Sequence, residues 1–184
     1  MEADDAVRLA FDAAQEGLPA GQTAALVLRE AGCDDIQAIM ELNDRAKRPG
    51  GTLASYLAVV EDAQRLLVVA CSGTDVVGWA KTHWWGHADE SAPAGHYLGG
   101  VTVDPAWRRR GIGTKLTRIR LHWIWGRTPD AWYVVNATNT ASIAMHRDFG
   151  FTEIARATAF HTTGFEDGNG LLMHAQRPIG FPNQ

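Results

Sequence analysis

The sequence predicts an α/β protein of the α+β kind, a mixed central sheet flanked by helices, on three observations. Apolar residues recur at every second position in some stretches and at every third or fourth in others, the periods of strands and helices. These stretches follow one another in the order βααββ and then βαβαββ, with no internal repeat. The strand, helix and strand in the middle have the spacing of a crossover, whose two strands lie parallel and close.

Residues 1–22 are expected to form an N-terminal extension and linker, with a short helix around Val7, Phe11 and Ala14 before Gly17, Pro19 and Gly21. The domain itself is expected over 23–184, starting with a strand at 23–29 (TAALVLR). Asp34, with Gln37 three residues on, resembles a capping box opening a helix with Ile36, Ile39, Met40 and Asn43 on one face. That helix should end near Lys47, Arg48 and Pro49. Thr52 then caps a second helix, with Leu53, Tyr56, Leu57 and Val60 at i, i+3, i+4 and i+7.

The runs at 65–70 (RLLVVA) and 76–84 (VVGWAKTHW), joined by a Ser-Gly-Thr-Asp turn, read as an antiparallel hairpin. After a loop over 86–95 comes a strand whose Val101 and Val103 alternate with Gly100 and Thr102, until Asp104 and Pro105 stop the ladder. Ile112, Leu116, Ile119 and Trp123 then recur at helical spacing. A strand at 132–137, a short helix at 140–149 with Gly150 as its C-cap, and a strand pair at 151–160 and 171–175 around a loop at 161–170 complete the domain, with a tail at 178–184.

With 184 residues, 46% hydrophobic and 21% charged, the chain can bury a sizeable core as one soluble domain. No stretch reads as a membrane span. Glu2, Asp4 and Asp5 stand where a signal peptide would be basic, so a cytoplasmic protein is expected. Cys33 and Cys71 lie far apart without a CxxC pair, which fits reduced thiols better than a disulfide frame or a zinc site. His83, His87, Asp89, Glu90 and His96 lack the spacing of a helical metal pair, and no metal is expected.

The net charge of −4 is unevenly distributed. Seven of the 17 basic residues, Arg108, Arg109, Arg110, Lys115, Arg118, Arg120 and Arg127, fall in one segment that holds no Asp or Glu. So compact a patch favours a small polyanion over nucleic acid. Within residues 97–116, YLGGVTVDPAWRRRGIGTKL, a strand passes through a glycine loop into a helix start. That order aims N–H groups and the positive end of the helix dipole at one spot, suited to a phosphate. A tight turn with solvated arginines is the alternative reading of a bare RxxGxG, and neither GxGxxG nor GxxxxGK[ST] is present.

The order of elements, with VTVDPAWRRRGIGTKL and then NTASIAMHRDFGF (139–151), resembles the GCN5-related N-acetyltransferase (GNAT) superfamily. The resemblance implies the GNAT-type acyl-CoA N-acyltransferase fold, acetyl-CoA as co-substrate, and transfer of its acetyl group to an amine by direct attack through a tetrahedral intermediate. It implies that Val101, Thr102 and Val103 offer backbone groups to the pantetheine arm. Amides of Arg109, Arg110, Gly111, Ile112, Gly113 and Thr114 would hold the pyrophosphate, with Arg108 at the family's Gln/Arg position. Lys115 or Arg147 would meet the remaining phosphate. Asn139 matches a cofactor-contacting asparagine, and also fits a helix N-cap; Ser142 is counted with it as cofactor-binding.

His146 falls where many members place a tyrosine that protonates the thiolate; packing on Phe149 or Phe151 is the other reading of it. Tyr97 stands where some members carry a glutamate base, with His96 beside it; there the expected carboxylate is missing, and a plain core role is the other reading. A backbone N–H near Val103 is the expected oxyanion donor. The loops at 47–52 and 161–170, with Glu166, Asp167, Trp84 and Trp85, would meet the acceptor. The expected acceptor is a primary amine on a small molecule, an antibiotic or a metabolite. A protein N-terminus or lysine, or a non-catalytic acyl-CoA-binding module, are the other classes weighed. The resemblance leaves a homodimer open.

Overall fold

The computed structural model describes residues 26–181, so the extension expected over 1–22 lies outside the described residues. The chain forms two compact units: residues 26–82 with Gly99–Trp123, and His83–Leu98 with residues 124–181. Antiparallel and parallel strand pairs occur together with flanking helices, the mixed α/β class that the periodicities predict.

In the first unit, β1 (Leu26–Glu30) pairs antiparallel with β2 (Leu67–Ser72), which forms the expected hairpin with β3 (Asp75–Trp85). Helix α1 (Ile36–Arg45) packs Ile36, Ile39 and Leu42 into a cluster with Tyr56, Val59, Leu67, Val69 and Trp79. Burying each of these side chains stabilises the fold by about 1.5–3 kcal/mol. Asn43 shares the buried face because it is satisfied: its Nδ2 donates to the Tyr56 hydroxyl and its Oδ1 accepts from Trp79 Nε1, each at 2.9 Å.

Two local expectations are corrected here. Asp35, not Asp34, stands at the N-cap of α1, and its carboxylate bonds backward instead of into the helix, accepting from Gly32 N–H at 2.8 Å and pairing with Arg29 at 2.6 Å. A short 3-10 turn (Cys33–Asp35) precedes the helix, shifting the cap by one residue. In α2 (Leu53–Val60) Thr52 is the cap, its hydroxyl accepting from Ser55 N–H at 3.2 Å. Leu53, however, is exposed, and Val59 takes its place on the buried face, because a first-turn residue lies at the rim of so short a helix.

Strand β4 (Gly95–Val103) and helix α3 (Ile112–Trp125) follow as expected. Ile112, Leu116, Ile119 and Trp123 are all buried. The helix rests directly on β3 at Gly78, where an added Cβ would lie 3.0 Å from Ile112 Cγ2. Alternation along β4 holds, but Thr102 is the buried residue and Val101 and Val103 are half-exposed.

In the second unit β4 pairs in parallel with β5 (Asp130–Asn136), Tyr97 opposite Trp132 and Leu98 opposite Tyr133, as the crossover requires. Helix α4 (Thr140–Arg147) follows, and Gly150 comes just after its end. Strand β6 (Thr152–Ala157) pairs with β9 (Gly170–Gln176), which also pairs with β5. The strand expected over 151–160 breaks after Ala157, and its last two residues, β7 (Ala159–Phe160), form a small hairpin with β8 (Thr163–Gly164) inside the expected loop. Four-residue pairing is too short to leave a periodic signal.

Candidate active site

In the first unit, β4 ends at Val103 and Asp104 takes over the chain direction. One carboxylate oxygen of Asp104 accepts from Ala106 N–H at 2.9 Å and the other pairs with Arg45 of α1 at 3.0 Å. Arg108, Arg109 and Arg110 are exposed on the turn that follows. Arg108 Nε donates to the Val103 carbonyl at 3.4 Å, and Arg110 lies over the Trp107 ring at 4.7 Å. Arg109 and Gly111 have φ of 63° and 76°, so the chain turns through the left-handed region twice before α3; glycine adopts it without cost.

The first main-chain bond of α3 runs from Lys115 N–H to the Gly111 carbonyl at 3.0 Å. The N–H groups of Ile112, Gly113 and Thr114 therefore precede the helical ladder, and no acidic residue stands in the first turn. Val101, Thr102, Val103, Arg108, Arg109, Arg110, Gly111, Ile112, Gly113 and Thr114 are thus one continuous strand, turn and helix start. Burial and the neighbouring Arg118 lower the pKa of Lys115.

One member of the expected basic patch belongs elsewhere. Arg120 is fully buried, and its guanidinium donates to oxygens of the protein interior instead of facing a solvent anion. Spacing carried the signal: Arg120 lies eight residues after Ile112 and four after Leu116, on the same apolar stripe.

In the second unit, Asn139, Ser142 and His146 lie along α4. Asn139 Oδ1 caps the helix by accepting from Ser142 N–H at 3.2 Å, so its N-cap role is real and its amide nitrogen is the part that would meet a ligand. His146 is buried. Its ring stacks on Tyr133 at 4.2 Å and meets Phe151 edge-on at 5.5 Å. Nδ1 lies 2.8 Å from the Ser142 carbonyl, which can only accept, so Nδ1 carries a proton and Nε2 is the nitrogen that would exchange one. Tyr133, which sequence reading passed over, has its pKa raised to about 12 by burial.

Tyr97 is not placed beside His146. Its ring stacks on Trp132, whereas His146 stacks on Tyr133, and consecutive residues of β5 point to opposite faces of the sheet. The Tyr97 hydroxyl donates to the Pro93 carbonyl at 2.7 Å, and burial, with the nearby Asp89, raises its pKa. A phenol so held donates its proton to the main chain, which fits the core reading of Tyr97 better than that of a base. His96 is likewise buried, its ring 4.4 Å from that of Trp84.

The loop after β3 and the β7–β8 hairpin are fastened to each other. Asp89 accepts from Ser91 N–H (2.8 Å), Ser91 Oγ (2.9 Å), Ala92 N–H (2.7 Å) and His161 N–H (2.7 Å). These bonds, that of the Ser91 N–H foremost, hold its carboxyl at about 2. The His161 ring stacks on Trp85 at 4.4 Å and its Nε2 lies 3.1 Å from the Pro93 carbonyl. Asp89 and His161 are thus tied to loop shape, and no cluster of three metal-ligating side chains exists among the described residues.

A strand delivered into a left-handed turn and an acid-free helix start is followed in the chain by a further strand and an asparagine-capped helix, the order of elements on which the resemblance to acyl-coenzyme A-dependent transferases rests. The acetyltransferase (GNAT) family matches residues 29–151, and the chain belongs to that family. It is an acetyl-CoA-dependent N-acetyltransferase. An aminoglycoside N(6')-acetyltransferase type 1 from Klebsiella aerogenes is 32% identical over 112 residues, covering 59% of this chain and 73% of the relative. Among solved structures, the ribosomal-protein-S18-alanine N-acetyltransferase of Escherichia coli superposes with a TM-score of 0.64 at 19% identity, covering 82% of this chain and 93% of its own. The acetyltransferase yncA of Salmonella typhimurium, solved with its cofactor acetyl-CoA, gives 0.63 at 23%, covering 83% and 94%. At these identities the two structures establish the fold. No helix among the described residues is long and apolar enough to cross a membrane.

Proposed function

We propose that this protein acetylates a primary amine of a small molecule, of aminoglycoside or similar polyamine character. The observation that carries the acceptor class is the 32% identity, over 73% of its length, to an enzyme named for an aminoglycoside amine. Acetyl-CoA supplies the activated acetyl group. The residues of the strand, turn and helix suit it: half-exposed Val101 and Val103 flank the main chain that would run beside the pantetheine arm, and the N–H groups of Ile112, Gly113 and Thr114 sit beside three exposed arginines where the pyrophosphate would lie. A backbone N–H near Val103 would donate to the acetyl oxygen as charge develops there.

Asn139 would contact the co-substrate through its amide nitrogen while capping α4, with Ser142 beside it. His146 as the imidazolium, its Nδ1–H donating to the Ser142 carbonyl and its second proton on Nε2, would act as the acid: Nε2–H passes its proton to the departing thiolate and leaves the neutral ring protonated on Nδ1. With Tyr97 engaged by Pro93, the amine would lose its proton to water or arrive neutral. Following thiol release from acetyl-CoA across aminoglycosides bearing a 6′-amine, simple amines, and peptides with free N-termini or lysines tests the reading. Release with the small amines is expected. Release with peptides alone would move the acceptor class to protein, and acetyl-CoA binding without release to any amine would make the chain a binding module.

A further inference from the structure

Arg120 is the largest of the side chains buried beyond reach of solvent. Its guanidinium turns back along α3: Nε donates to the Leu116 carbonyl at 3.2 Å and Nη2 to Thr117 Oγ1 at 2.9 Å. Nη1 crosses to the strands, donating to the carbonyls of Lys81 on β3 and Gly99 on β4, each at 3.1 Å. All four acceptors are neutral oxygens. Burial lowers the pKa to about 9, and no carboxylate contributes to the shift, so the group is a buried cation at neutral pH.

Packing alone does not call for an arginine there. Leu116 and Trp123 flank the position on the same buried stripe of the helix, and a Leu or Met would fill it without the desolvation that a buried charge carries. What the guanidinium does that an apolar side chain cannot is hold two main-chain carbonyls on neighbouring strands from one point on α3. Gly99 stands two residues before Val101, where the half-exposed segment of β4 begins, and the other end of the same helix is the turn at Gly111 to Thr114. One fixed cation therefore joins the helix proposed to hold the pyrophosphate to the strand proposed to hold the acyl-pantetheine arm. A charged donor also polarises the amide it holds.

We propose that Arg120 is a positioning residue for acetyl transfer: by clamping the Lys81 and Gly99 carbonyls to α3 it fixes the orientation of the β4 peptide groups that align the thioester. The proposal rests on the assignment of β4 as the thioester-binding strand. It predicts an effect on alignment, and so on turnover, rather than on capture of the co-substrate, most of whose binding groups lie on the turn after Asp104.

The test compares wild type, Arg120→Met, Arg120→Lys and Thr117→Val, each well below its own melting temperature, by thiol release with whichever amine of the panel turns over and by calorimetric binding of acetyl-CoA. Arg120→Met should lower kcat at least tenfold while acetyl-CoA affinity changes less than threefold. Arg120→Lys keeps the charge without the fork and should recover part of the loss. If Arg120→Met does not fold, Thr117→Val, which frees only the Nη2 end, should still lower kcat about threefold. An unchanged kcat in the folded Met variant, or in Thr117→Val where Met fails to fold, would overturn the proposal, as would a loss expressed wholly through acetyl-CoA affinity. Wild type that releases no thiol with any amine would instead overturn the functional reading on which it stands.

Discussion

Replacing Asn43 by leucine tests how the first unit tolerates a polar side chain in its core. Asn43 is 2% exposed and joins Tyr56 Oη to Trp79 Nε1. Leucine keeps the branched outline with bulkier methyl ends, but accepts nothing and donates nothing. Trp79 is itself 5% exposed, so its indole N–H would be left buried without an acceptor, at a cost of about 1–3 kcal/mol. Tyr56 keeps the donor it has from Gly51 N–H at 3.3 Å, so losing the asparagine there costs only about 0.5–1.5 kcal/mol. The sum, about 2–4 kcal/mol, exceeds any gain from leucine's hydrophobicity at a site already closed to water, and corresponds to a melting temperature lower by roughly 5–15 °C. Urea unfolding at constant m-value reads it. Because the orphaned indole carries most of the penalty, Trp79→Phe in the Asn43→Leu background should restore at least about 1 kcal/mol relative to the sum of the single changes. Additive effects, or a neutral Asn43→Leu, would refute the reasoning.

Gly78→Ala should destabilise by about 1–2 kcal/mol in the same assay. The gain of about 0.4–1 kcal/mol from a stiffer unfolded chain is outweighed by a Cβ at 3.0 Å from Ile112 Cγ2, whose residue is too buried to yield; a stabilised variant would contradict this contact. Asp35→Asn should destabilise at pH 7 and progressively less under acid: Arg29 holds the folded carboxyl below its ordinary value, so its contribution is present above about pH 3.9, the unfolded value, and lost as pH falls through the lower folded one. A stability gap between variant and wild type that did not narrow at low pH would refute that coupling. Tyr97→Phe should leave kcat within twofold and cost about 1 kcal/mol for the Pro93 bond, whereas His146→Phe should lower kcat on the order of a hundredfold. Equal kinetic effects of the two would reverse the roles assigned to them.

Most of the architecture was legible in the sequence because it rests on local period. The hairpin at β2 and β3, the crossover from β4 through α3 to β5 and the two-part motif each announce themselves over five residues or more. What escaped depends on partners distant in the chain. Arg120 reads as one more surface cation until its carbonyl acceptors, 39 and 21 residues away, are known. Tyr97 and His146 each occupy a place where chemistry is expected, but only the register of β5 reveals that they lie on opposite faces. Composition gives the valines of β4 to the interior and its threonine to solvent, whereas the fold buries Thr102 and leaves Val101 and Val103 half-exposed.

The carboxylate of Asp89 has a consequence for how this enzyme could change its acceptor. It grips the β7–β8 hairpin through the main-chain N–H of His161, a group that every residue except proline supplies, and through the His161 ring, whose Nδ1 lies 3.3 Å from the same carboxylate. The φ of 50° at that position favours glycine or asparagine among replacements. The exposed side chains of Thr162 and Thr163 can therefore be exchanged while His161, stacked on Trp85, keeps the point at which the hairpin departs. A library randomised there, with Asp89 and His161 retained, would vary the surface expected to meet the acceptor on a constant frame; one that altered Asp89 would vary frame and surface together.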